Sequence, residues 1–143
     1  MVSKMNKKDK VRWIFGILTI LSGLLIIAIP TILFPVCKSS GVRMACYYSK
    51  QAEIGLGAAV VFIGLVIVFL KQAEIRIGLS IGLLPLAVLA YIYPVYLIGV
   101  CHASSMACRI GTLPALKIIA SILFVLTVIH LWVLRQVVAA QKS

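Results

Sequence analysis

Acidic side chains are nearly missing from this chain. Asp9, Glu53 and Glu74 are the three it has in 143 residues, and charged residues of both signs reach only 12%. A soluble domain carries about 25%, so a water-facing surface cannot be built from this composition. A soluble enzyme, a β-rich secreted module and a disordered tail are excluded together. Histidine is equally scarce, with His102 and His130 alone. No acid–base pair, nucleophile beside a base, phosphate-binding loop or zinc motif can be assembled. The expectation is therefore no catalytic residue, no metal and no cofactor.

What the chain has is apolar length. Hydrophobic residues make up 63% and the mean hydropathy is +1.17. A membrane helix needs roughly 20 mostly apolar residues, and four runs meet that length: Trp13–Val36, Ala52–Leu70, Ile77–Val100 and Leu113–Leu134. The remainder is too short for an extramembrane domain. The reading is an all-α membrane protein, one transmembrane domain over residues 1–143 with four transmembrane helices.

Charge placement orients it. Lys4, Lys7, Lys8, Lys10, Arg12, Lys71, Arg76, Arg135 and Lys142 fall on one side of the membrane. Lys38, Arg43, Lys50, Arg109 and Lys117 fall on the other. Nine against five, by the positive-inside bias, predicts both termini in the cytoplasm. The net charge of +11 then reflects attraction to anionic lipid heads. Nucleic acid is not an expected partner, because no basic surface is interleaved with aromatic rings for base stacking. The first run is too long for a cleaved leader and lacks a small-residue cleavage site. It reads as a retained helix of a multi-pass membrane protein.

The two halves repeat. Arg12, Pro30, Val36 and Cys37 recur 64 residues later as Arg76, Pro94, Val100 and Cys101; Met44-Ala45-Cys46 recurs 62 later as Met106-Ala107-Cys108. Repeat one (12–70) and repeat two (76–135) each read as a hairpin leaving and re-entering the cytoplasmic side. Two such hairpins in one orientation are related by an axis along the membrane normal. A shorter echo, Lys50-Gln51-Ala52-Glu53-Ile54 and Lys71-Gln72-Ala73-Glu74-Ile75, opens spans two and three. Each Glu is expected in a first helical turn, where the helix dipole favours negative charge.

Trp13 and Trp132 are expected at the inner interface, and Tyr47, Tyr48, Tyr93 and Tyr96 near the outer one. Pro30 and Pro94 predict kinks or freed carbonyls below the outer mouth. Gly78-x-x-x-Gly82 permits close helix approach, within this bundle or to another subunit. Lys117 is expected to snorkel outward, and His130 to lie at the inner interface.

All four cysteines fall in the two non-cytoplasmic loops, as Cys37…Cys46 and Cys101…Cys108. That compartment is oxidising, and the matching loops favour local pairing among the three connectivities that four cysteines allow. Each short bridge would contribute about 2–3 kcal/mol. Two other readings stay open. One is a quinone-coupled thiol–disulfide oxidoreductase, although the close C-x-x-C spacing that helps lower a thiol pKa is absent. The other is a soft-metal carrier, since cysteine and methionine beside His102 suit Cu(I).

Cys37…Met44-Ala45-Cys46-Tyr47, then Gln51-Ala52-Glu53-Ile54-Gly55-Leu56-Gly57, then Cys101-His102…Met106-Ala107-Cys108-Arg109 and Thr112-Leu113-Pro114 resembles the bacterial family catalogued as domain of unknown function 4418. The likeness covers essentially all four spans. Where that family shows Cys-His-Trp, this chain has Cys46-Tyr47-Tyr48, which removes a histidine from the first loop. The resemblance implies no reaction. The resemblance also implies genes that often neighbour ABC-type permeases of the macrolide-exporter and lipoprotein-release kind, and hence an accessory subunit. The expected function is thus non-enzymatic packing beside a larger permease, with the lipid bilayer and that permease as partners. Gly57, Gly78 and Gly82, with Arg43 and Arg109 in the outer loops, are the expected partner contacts.

Overall fold

A backbone in lipid must satisfy its own hydrogen bonds, so long apolar runs become helices. The computed structural model describes residues 7–33, 45–93, 96 and 108–142. Four helices fill them: α1 (Lys7–Ala28), α2 (Ala45–Phe69), α3 (Ala73–Ile92) and α4 (Leu113–Lys142). No strand occurs among the described residues. Four stretches are long and apolar enough to cross a membrane: Asp9–Ile32, Lys50–Phe69, Ala73–Ile92 and Ile110–Ala140. Span three starts four residues earlier than the apolar run suggested, because Glu74 and Arg76 are already helical.

The polar side chains inside the spans are mostly satisfied locally. Thr19, Ser22, Thr31, Ser80, Ser121 and Thr127 each donate to the carbonyl four residues back, at 2.7–2.8 Å, so the helix that carries a hydroxyl also hides it. At Pro30 the missing N–H interrupts the ladder, and α1 continues as a π turn over Ile29–Leu33. That bears out the expected irregularity at Pro30; Pro94 lies outside the described residues. A second π turn, Cys108–Thr112, leads into α4.

Packing is strongest within consecutive pairs, α1 with α2 and α3 with α4. The core between them is built from Ile26, Ile29, Val60, Ile67, Leu83, Ala87, Leu116 and Leu123. The α1–α2 pair is set by glycines seven residues apart on each helix. Gly16 faces Gly64 and Gly23 faces Gly57; a Cβ added to Gly23 would meet the Gly57 carbonyl oxygen at 2.9 Å, and the reverse distance is the same. Side-chain-free contact of this kind drives helix association where lipid is as apolar as leucine. Outward lie Ile14, Leu21, Phe62, Val125 and many similar residues, an apolar coat for a lipid environment. Trp13 and Trp132 are exposed at the end bearing the described chain ends, and Tyr48 and Tyr96 at the other, as expected of interfacial rings. Lys117 sits with its Nζ 5.9 Å from the Tyr91 ring centre, a cation–π distance.

Candidate functional site

Arg76, Ser80 and His130 form the main polar cluster buried among the described residues. Arg76 and Ser80 are one turn apart on α3 and point at α4, where His130 is 3% exposed. The Arg76 Nη2 lies 3.3 Å from His130 Nε2, and Ser80 Oγ lies 3.1 Å from Nδ1. A guanidinium has donors and no acceptor, so Nε2 must accept. The ring proton then sits on Nδ1 and is donated to Ser80 Oγ. Ser80 in turn donates to the Arg76 carbonyl oxygen at 2.8 Å. The proton order is therefore fixed around the whole cluster. Phe15 of α1 stacks on the imidazole, with centroids 4.6 Å apart and planes at 17°.

His130, expected at the inner interface, is two residues from the exposed Trp132, and its ring is enclosed laterally by α1 and α3. Its partners lie 50 and 54 residues away in sequence, out of reach of any local pattern. Ser80→Ala is expected to leave Nδ1 unpaired and lower stability by about 1–2 kcal/mol. Denaturant titration in detergent, against the outward-facing Ser121→Ala as reference, checks this.

At the same end a cavity of about 710 Å³ opens between the start of α1, the link after α2, the start of α3 and the end of α4. Asp9, Arg12, Lys71, Gln72, Arg76 and Gln136 supply its polar wall. Arg12 reaches Asp9, with Nη2 3.5 Å from Oδ1. The Nε atoms of Arg12 and Arg76 are both buried with no hydrogen-bond partner among the described residues.

Glu53 is the third polar feature. It is 1% exposed, and neither carboxyl oxygen has a partner among the described residues. The expected first-turn position is corrected: α2 starts at Ala45, so Glu53 lies more than two turns in, past the reach of the helix-end dipole. Glu74 does occupy the first turn of α3.

The expected contact glycines separate. Gly57 is closed by Gly23 and Ile27 inside the bundle, so it offers no surface to a partner. Gly78 and Gly82 have nothing within 4 Å of an added Cβ. Cys37, Arg43, Met44, Cys101, His102 and Met106 lie outside the described residues. Cys46, Cys108 and Arg109 are described in backbone only.

Fold and site define a multi-pass, all-helical membrane protein with a buried polar cluster near one end of its bundle. The chain belongs to the family described as Domain of unknown function (DUF4418), whose model matches residues 5–133. No protein of curated function and no solved structure matches it.

Proposed function

We propose that the protein is a small, non-enzymatic subunit of a bacterial cytoplasmic membrane complex, packing through α3 against a larger permease of the ABC type. The observation that carries this is the outer stripe of α3. Ile75, Gly78, Gly82, Pro85 and Leu89 are all exposed and recur at three- and four-residue spacing, so they share one helix face. Open glycines in that stripe form a shallow groove that admits another helix closely, whereas Gly16, Gly23, Gly57 and Gly64 are already used within the chain.

Duplicated hairpins with cytoplasmic termini complete this reading. Support comes from matching contacts: an added Cβ at Gly16 would strike Val68, and the positions 64 and 62 residues on are Ser80 and His130, which are hydrogen-bonded. Disulfides Cys37–Cys46 and Cys101–Cys108 would hold the outer loops, with Arg43 and Arg109 presented toward the partner.

Purification in mild detergent tests the assembly. A permease is expected to accompany the wild-type chain and to be lost from Gly78→Leu and Gly82→Leu, whose thermal unfolding stays at the wild-type temperature. A wild-type chain that purifies alone, or variants that keep the partner, would overturn the proposal. Intact mass without reductant is expected four hydrogens below the all-thiol value.

A further inference from the structure

We propose that the cavity lined by Arg12 and Arg76 binds a phosphate group, supplied by an anionic phospholipid headgroup or by free phosphate. The site is independent of the α3 outer face.

Charge is the first argument. The cavity gathers Arg12, Lys71 and Arg76 against Asp9 alone, an excess of positive charge close to the membrane-spanning region. Arg76 is only 6% exposed. Its Nη2 is occupied by a neutral acceptor, His130, which supplies no countercharge, and its Nε is buried without a partner. Arg12 repeats the pattern: its side chain is 11% exposed, its Nη2 holds Asp9 at 3.5 Å, and its Nε is also orphaned. An N–H donor can be satisfied only by an acceptor, and the described residues offer none to either Nε. A buried cation without countercharge is costly, so an anion completes this site.

The helix end is the second argument. Gln72 occupies the N-cap of α3 and makes no side-chain capping bond. First-turn N–H groups of α3 therefore lack a side-chain cap beside the cavity, and such termini accept phosphate. Phosphate also matches the fork of a guanidinium better than a single-atom acceptor does. Two arginines approaching from different helices call for an acceptor with several oxygens.

Depth is the third. Trp13 and Trp132 are exposed at this same end, and interfacial tryptophans mark the headgroup level. Basic pockets between membrane helices at that depth receive anionic headgroups. Arg12 and Arg76 are also the residues related by the 64-residue repeat, which brings two equivalent side chains to one cavity.

The test uses the full chain, delipidated in detergent. One arm adds phosphatidylglycerol and reads bound lipid by native mass spectrometry, with phosphatidylcholine as reference. The other adds inorganic phosphate without lipid and reads binding by calorimetry. Arg76→Gln also breaks the His130 cluster and can fail to fold. Arg12→Gln and the double variant Arg12→Gln/Lys71→Gln leave that cluster intact and carry the decision. Saturable binding in either arm, weakened about tenfold or more by Arg12→Gln, is expected, and the responding arm identifies the source. Absence of binding in both arms, or equal binding by the wild type and the double variant, overturns the proposal.

Discussion

Gly23→Leu and Gly57→Leu are each expected to destroy the α1–α2 pair and leave little folded protein in the membrane. At both positions the obstacle is backbone. A Cβ on Gly57 would lie 2.9 Å from the Gly23 carbonyl oxygen and 2.5 Å from Ile27 Cγ1; one on Gly23 would lie 2.8 Å from Val61 Cγ2 and 2.9 Å from its backbone nitrogen. A side chain can rotate away, whereas a helix backbone moves only as a unit. Overpacking a core costs about 1–3 kcal/mol where neighbours can adjust. The upper end or more applies here, because the whole α1–α2 interface must separate. Alanine at Gly57 brings the same first atom and should already lower the unfolding midpoint in detergent, with leucine much worse. Gly55→Leu is the control: nothing lies within 4 Å of an added Cβ there, and no loss is expected.

Glu53→Met is expected to act in the opposite direction and stabilise the fold by about 2–3 kcal/mol. The Glu53 side chain is among the largest fully buried ones, and neither oxygen has a partner among the described residues. A polar group buried without hydrogen bonds costs roughly 2–7 kcal/mol, depending on the reference state. Methionine fills a similar volume with no such penalty and adapts its shape. Denaturant midpoints in detergent read the gain. An intramembrane ionisable residue retained at a cost to stability is by default a functional one. Under the proposed subunit role, the same variant is expected to weaken co-purification of the partner while its folded fraction rises.

Much of the architecture was legible because a membrane span is a length-and-hydropathy signal. All four spans begin within about four residues of the apolar runs. Charge misled where tertiary structure hides it. Glu53 resembled a helix start because polar residues precede it, yet α2 begins at Ala45, eight residues earlier. The burial of His130 depends on Phe15, Arg76 and Ser80 from other helices, which its place near the end of a span does not reveal.

Two signals in the sequence bear on these points. Gly16 and Gly23, like Gly57 and Gly64, stand seven apart, the spacing that keeps a residue on one seam of paired helices. They locate the close approach better than Gly78-x-x-x-Gly82, which faces outward. Offsets of 64 and 62 residues also lead from Gly16 and Val68, which are in contact, to Ser80 and His130, which are hydrogen-bonded. The cavity beside Arg76 leaves no local trace, since it is assembled from α1, the α2–α3 link, α3 and α4.

Site-specific photo-cross-linking in intact cells addresses the subunit reading most directly. A cross-linker placed at Gly78 or Gly82 is expected to give one adduct to a larger membrane protein. The same group at Ile118 on α4, which is 59% exposed, is expected to give none. Equal behaviour at all three positions, with lipid as the sole neighbour, would contradict the assignment of α3 as an assembly face.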